Sequence, residues 1–212
     1  MPSRFRRALP YAPAAGVIAF FVLYAIAALL YPGGSYEDRR APGFSFVHNY
    51  FCDLLHPVAL NGFPNPGRSL GLVAMALVVP TLALFFHSVV ALYPSQRALR
   101  LTTRIAGSIS AAATLFLLTP FHDRAVEIGG SFGLIAVFAV LAALPRAKHG
   151  LLFLGGVAAM VVSAACFFIW RTGVGLPALA GLQKLAFALF LFWVFAASVV
   201  AARASRPLIP SG

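Results

Sequence analysis

The stretch AAGVIAFFVLYAIAALLY, Ala14–Tyr31, carries no charged residue. As a helix it is long enough to cross a hydrocarbon core roughly 30 Å thick. Further apolar runs follow at Ser69–Tyr93, Ile105–Thr119, Ile128–Leu144, Gly150–Trp170 and Pro177–Ala202. The third and fourth are short and borrow residues from their flanks, so spans are expected at about 14–31, 69–93, 101–119, 126–144, 150–170 and 177–202. Backbone groups in lipid must bond internally, which makes these runs helices. A barrel would need alternating polarity, which is absent. With 61% hydrophobic and 10% charged residues, the composition lies outside the range of soluble domains. The fold class is therefore all-α: a polytopic membrane protein, expected as a six-transmembrane-helix bundle forming one integral membrane domain over residues 1–212.

Lysine and arginine orient it. Arg4, Arg6, Arg7, Arg97, Arg100, Arg104, Arg146, Lys148, Arg203 and Arg206 fall at one set of helix ends, against Arg39, Arg40, Arg68, Arg124 and Arg171 at the other. The positive-inside rule then places both termini in the cytoplasm of a cell (inner or plasma) membrane. The net charge of +11 reflects this topology and contact with anionic lipid, not nucleic acid, since no basic groove interleaved with aromatics is present. The N-terminal run is too long for a typical signal-peptide core and lacks a small-x-small cleavage site before Pro32-Gly33, so it is expected to be an uncleaved anchor. Cys52 and Cys166 are either two independent thiols or, in an oxidising compartment, a bridge.

All five acids, Glu37, Asp38, Asp53, Asp123 and Glu127, fall in the two loops assigned to the outer side, with His48, His56 and His122. The first of these loops, Pro32–Arg68, is the only long connection, and such a loop in a compact domain is usually functional or structured. Within it Phe44–Leu55 is aromatic-rich and free of Pro and Gly, which predicts a short helix lying in the membrane interface. On that helix His48, Cys52 and His56 share a face, with Asn49, Asp53 and His56 on an adjacent stripe. Imidazole, thiolate and carboxylate at this spacing suit zinc, with His48, His56 and His122 as the metal-ligand candidates. The alternative is an amphipathic loop helix whose polar groups face water or cap helix ends, with Asp53 paired to Arg68.

The second outer motif is His122-Asp123-Arg124-Ala-Val-Glu127. Two acids at a helix N-terminus are explained by the dipole alone. A histidine beside an aspartate also suits an oriented base or ligand. Arg124 either neutralises Asp123 or meets a lipid phosphate. Lys184 lies about 10 Å inside the sixth span at 1.5 Å per residue. It must snorkel, face a wet cavity, or pair with Asp53, Asp123 or Glu127, and pairing is expected. His87 and His149 are expected at the cytoplasmic interface without a chemical role, and the small residues of the fifth run (Gly155, Gly156, Ala158, Ala159, Ser163) suit close packing.

The segment Asn49-Tyr-Phe-Cys52-Asp53-Leu, with Asn65-Pro-Gly67 after it, resembles the Asn-x-x-Ser-Asp-Leu signature of a prokaryotic six-helix membrane family known as domain-of-unknown-function 998. That family is distantly similar to the DRAM and Sfk proteins and to the remodelling proteins of glycosylphosphatidylinositol (GPI) anchors. The resemblance implies six helices, a polar first outer loop and lipid handling at the outer leaflet. It carries Asn49 and Asp53, while Cys52 stands where the family tends to have serine. The intramembrane zinc hydrolases of the ceramidase and adiponectin-receptor type are similar only in clustering histidine and aspartate at one face. Their seventh helix and its His-x-x-x-His are missing.

Two function classes follow. In one, the protein modifies or hydrolyses membrane lipid at the outer leaflet. His48, Asp53, His56, His122, Asp123 and Lys184 are then the catalytic candidates, and Asn49, Arg124 and Glu127 bind substrate. In the other it is a non-enzymatic lipid-binding scaffold or small permease. A transporter would show discontinuous helices and a repeat, neither of which the chain displays.

Overall fold

The computed structural model describes residues 9–116 and 119–205. Arg4, Arg6, Arg7 and Arg206, used above for orientation, lie outside the described residues, as do Leu117 and Leu118 of the third run. The fold is all-α. Its long helices are α1 (Ala12–Leu29), α2 (Arg68–Ser88), α3 (Arg97–Ala113), α4 (His122–Ala143), α5 (Gly150–Thr172) and α6 (Leu176–Ala204). Among the described residues the only β-type pairings are two isolated bridges, Gly33–Pro42 and Val58–Pro64.

Local chemistry sets the helix boundaries. Pro13 and Pro177 stand in the first turns of α1 and α6, where a missing N–H leaves no helical bond unmade. At the end of α5, Gly173 takes the left-handed conformation (φ +72°) and donates its N–H to Ile169 O at 2.8 Å, a closure that favours glycine.

Five segments are long and apolar enough to cross a bilayer: Leu9–Leu29, Arg68–Leu92, His122–Ala143, Gly150–Thr172 and Leu176–Ala204. The chain is a multi-pass membrane protein. Helix α3 falls short of that measure for two reasons. Arg97, Arg100 and Arg104 occupy its first half, and its α-helical part stops at Ala113 before a 3-10 turn, Thr114–Phe116.

Internal contacts divide the chain into two compact units. The loop unit comprises Ile18–Val78 and Ala158–Leu191; the hairpin unit takes the described residues of Met1–Val17, Val79–Val157 and Phe192–Gly212. All four boundaries fall inside helices, so no linker separates them.

In the hairpin unit α3 and α4 run antiparallel. Ser110 Oγ donates to Gly129 O at 2.8 Å near one end, and Gln96 Nε2 to Ala143 O at 3.2 Å near the other. Trp193 packs edge-on against Phe85 (5.4 Å between centroids) and donates Nε1–H to Leu152 O at 2.9 Å. Gly156 lies under the same indole, where a side chain would collide with it, as the small-residue pattern of the fifth run predicted.

The loop unit is built on an aromatic cluster: Phe20, Tyr24, Phe51 and Phe187, with Tyr24 and Phe51 centroids 4.5 Å apart and Phe51 and Phe187 4.8 Å apart. The Tyr24 hydroxyl donates to Phe51 O, fixing the α1–α2 loop to α1. That loop has structure of its own. Gly34, at φ +85°, donates its N–H to Ala41 O at 2.8 Å, and a Cβ there would meet Asn61 N at 2.3 Å. Asn65 bonds the carbonyls of Leu54 and His56, both at 3.1 Å, and its Oδ1 receives Gly67 N.

The expected helix over Phe44–Leu55 is not formed. The segment is a turn through Phe46–His48 followed by a 3-10 helix, Phe51–Leu55, with Tyr50 extended (φ −82°, ψ 159°) between them. Side chains replace the helical ladder: Asn49 Oδ1 takes Ser45 N–H at 2.9 Å and Asp53 Oδ2 takes Tyr50 N–H at 2.8 Å. Asn and Asp compete with backbone acceptors in this way, which weakens continuous helix. The shared α-helical face of His48, Cys52 and His56 therefore does not exist.

Gly67 lies against α1, where a Cβ would fall 2.4 Å from Ala27 O, a backbone atom that cannot rotate away. Gly67→Ala is expected to destabilise the protein by roughly 1–3 kcal/mol through overpacking. Gly150→Ala, with open space at its Cβ, should be neutral or slightly stabilising. Thermal denaturation in detergent compares the two; equal melting temperatures would contradict the close approach at Ala27.

Candidate functional site

Asn49, Asp53, Ser35 and Lys184 are 0, 1, 2 and 9% exposed, although all four are polar and three lie in a loop. Burial of such groups is tolerable only when their hydrogen bonds are made, and Asn49 makes most of them. Its amide nitrogen donates to Gly34 O at 2.8 Å and to Asp53 Oδ2 at 3.0 Å, while its own backbone carbonyl receives Lys184 Nζ.

Lys184 also donates to Ala180 O at 2.6 Å, and its ammonium lies 5.6 Å and 5.8 Å from the ring centroids of Phe44 and Phe51. The expected direct ion pair with a carboxylate is therefore replaced by carbonyls and aromatic faces. The neighbouring Gln183 supports the same contact by accepting Phe51 N–H at 3.1 Å. Nor does Asp53 pair with Arg68, whose Nε donates to Leu55 O at 3.1 Å.

Asp53 is half satisfied. Oδ2 holds two hydrogen bonds, whereas Oδ1, equally buried, has no partner. The carboxyl lines a cleft of about 380 Å³ together with Tyr31, Tyr36, His56, Pro57, Val58 and Leu60. Burial raises its pKa above the usual carboxylate range, against the lowering effect of Asn49, Tyr50 N–H, His56 and Lys184. The same burial pushes the Cys52 thiol up to about 11, with Asp53 adding to the rise. Tyr31 and Tyr36 are also raised, burial being the main cause.

The cleft wall is aromatic and braced. Tyr31 Oη receives Leu60 N–H at 3.0 Å, Tyr36 packs edge-on against Tyr50 (5.6 Å), and the Arg39 guanidinium sits 5.4 Å from the Tyr36 centroid. Neither Tyr31 nor Tyr36 was singled out in the sequence. The available signal was a tyrosine ending the first apolar run and another beside Glu37.

The remaining candidates are placed differently. His48 is exposed and its Nδ1 meets Glu37 at 2.8 Å. His122 and Asp123 (3.1 Å), and Arg124 and Glu127 (3.1 Å), form two exposed pairs in the hairpin unit, the pattern expected of an acid-rich helix N-terminus. Arg124 thus neutralises Glu127, not Asp123. Cys52 and Cys166 are free thiols.

The metal-ligand set His48, His56 and His122 is corrected. Among the described residues no three His, Cys, Asp or Glu side chains stand together as a metal ion requires. The helical face that would have aligned His48 with His56 is broken at Tyr50, and Cys52 holds its proton.

Asn49→Ala should destabilise the loop unit by roughly 2–5 kcal/mol, because it strips partners from the buried Gly34 carbonyl and Asp53. For Asp53 the folded pKa is raised, so its contribution to stability is full below the ordinary carboxylate range and is lost as pH rises through the raised value. Asp53→Asn should remove that slope from the melting temperature measured against pH. A wild-type curve that rises over the same interval would refute the assignment.

Compared with protein-family models, curated proteins and solved structures, the chain matches none.

Proposed function

We propose that the protein modifies or hydrolyses membrane lipid at the outer leaflet, in the cleft between Tyr31, Tyr36, Asp53 and His56. One observation carries this: Asp53 Oδ1 is buried in a cleft wall without a partner, on a carboxyl whose other oxygen is anchored. Burial of this kind, which raises the pKa above the usual carboxylate range, suits a group that takes up and releases a proton.

In a hydrolytic step Asp53 Oδ1 takes a proton from water as its oxygen attacks the ester carbon or phosphorus. His56, exposed in the same cleft, returns a proton to the departing alkoxide. Asn49 and Tyr50 N–H hold Asp53 in place, and Lys184 behind it favours the anionic carboxylate that begins the cycle. A covalent acyl-enzyme through Cys52 does not fit, because the thiol keeps its proton at neutral pH. The resemblance to the domain-of-unknown-function 998 signature points to the same loop, through Asn49 and Asp53.

The competing reading is a lipid-binding scaffold. It is favoured by the two hydrogen bonds that Asp53 Oδ2 spends on the loop itself.

Reconstitution in vesicles of mixed phospholipids, with mass spectrometry of the lipids, tests both. Turnover by the wild type should fall on the order of 10²–10⁴-fold in Asp53→Asn and also drop in His56→Ala. Lipid retained by the wild type without any product selects the scaffold. If neither product nor lipid retention differs between wild type and Asp53→Asn, both readings fail.

A further inference from the structure

A second cleft, of about 280 Å³, lies in the hairpin unit and is lined by His87, Ser88, Pro94, Arg100, Arg104 and Ser205, among others. Its chemistry is opposite to that of the Asp53 cleft. Arg100 and Arg104 stand one helical turn apart on α3, so their like charges repel. Both Nε atoms are buried without a hydrogen-bond partner. Arg100 Nη1 is used by Pro94 O at 2.8 Å, a neutral carbonyl that leaves the charge uncompensated.

Among the described residues no side-chain carboxylate of the unit is free to serve them. The hairpin unit contains only Asp123 and Glu127 as acids. Both lie at the start of α4, paired with His122 and Arg124. Antiparallel packing of α3 on α4 puts that end near Ser110, away from Arg100 and Arg104, whose neighbour Gln96 reaches Ala143.

We infer that the Arg100–Arg104 cleft binds a phosphate group, carried by an anionic lipid head group or by a soluble phosphate ester. Two forked guanidiniums present paired N–H donors that match phosphate oxygens. Ser88 and Ser205 add hydroxyls, and both already donate to helix carbonyls, at 3.1 and 2.9 Å, so their oxygens remain acceptors for a protonated phosphate. His87 uses Nδ1 on Ala83 O at 2.9 Å, which leaves Nε2 as a further contact. The site is independent of the Asp53 cleft and of any reaction there.

Nanodiscs of phosphatidylcholine alone, or mixed with phosphatidic acid, provide the test, with native mass spectrometry counting the lipids retained by the full chain. Phosphatidic acid should be enriched on the wild type and displaced by inorganic phosphate more than by chloride at equal ionic strength. Arg100→Gln/Arg104→Gln should weaken retention about tenfold or more, as loss of charge-assisted bonds predicts. Arg100→Lys/Arg104→Lys, which keeps charge but loses the fork, should weaken it too, while Arg97→Gln should not. Enrichment confined to phosphatidic acid identifies a lipid ligand. Thermal stabilisation by inorganic phosphate in phosphatidylcholine alone identifies a soluble one. Retention by the lysine variant equal to wild type, or displacement by chloride as effective as by phosphate, overturns the site. Both readouts hold even if the glutamine variant fails to fold.

Discussion

Asn49 is a fully buried amide in a loop, and the architecture around the first cleft depends on how it meets its hydrogen-bonding demand. A polar group removed from water without a partner costs several times what a satisfied one contributes. Asn49 answers by bonding two backbone groups, Ser45 N–H and Gly34 O, and two side chains, those of Asp53 and Lys184. Those partners come from the start of the loop, its middle and α6. One residue, through its side-chain amide and its backbone carbonyl, therefore ties three separate pieces of chain into a fixed geometry. Asp53 is positioned as a consequence: Oδ2 is claimed by Asn49 and Tyr50, which leaves Oδ1 buried without a partner on a residue of the cleft wall.

Lys184 follows from the same constraint. A lysine this deep in an apolar helix requires compensation, and a carboxylate is the partner that charge arithmetic suggests. The structure instead uses the carbonyls of Asn49 and Ala180, plus two ring faces. A carbonyl dipole and an aromatic quadrupole both attract a cation without bringing a second charge that must be desolvated. Asp53 is thereby spared a direct ion pair that would have fixed it as a permanent carboxylate.

Helix identity and class were legible in the sequence because lipid imposes a strong, simple rule on runs such as Ala14–Tyr31 and Pro177–Ala202. Asn49, Asp53 and Lys184 were legible as candidates because polar groups stand out in an apolar chain. An association of Lys184 with the outer-loop acids was expected, but its bond to the Asn49 carbonyl and the Asn49–Gly34 bond were not legible, since they join residues 135 and 15 positions apart. The interfacial helix failed for a local reason. Periodicity treated Asn49 and Asp53 as surface positions of a helix, whereas their side chains capture Ser45 and Tyr50 N–H and end it. With that helix went the alignment of His48 and His56 on which the metal-ligand set relied. Tyr31 escaped notice because a tyrosine at the end of an apolar run is ordinarily an interface anchor, and Tyr36 because it stands in a polar turn beside Glu37.

The arginines of α3 show how one sequence feature can serve two purposes. Arg97, Arg100 and Arg104 enter the topology argument as interchangeable charges. Arg97 is exposed, while Arg100 and Arg104 bury their Nε atoms in a cleft wall. Topology needs only positive charge on one side, and three exposed lysines would supply it. It gives no reason to withdraw two guanidiniums partly from water, at i and i+4, with both acids of the unit held at the far end of the hairpin. Desolvating a cation is unfavourable unless an anion or a full set of acceptors meets it. Pro94 O meets one Arg100 nitrogen, and the rest of that demand points to a ligand carrying negative charge.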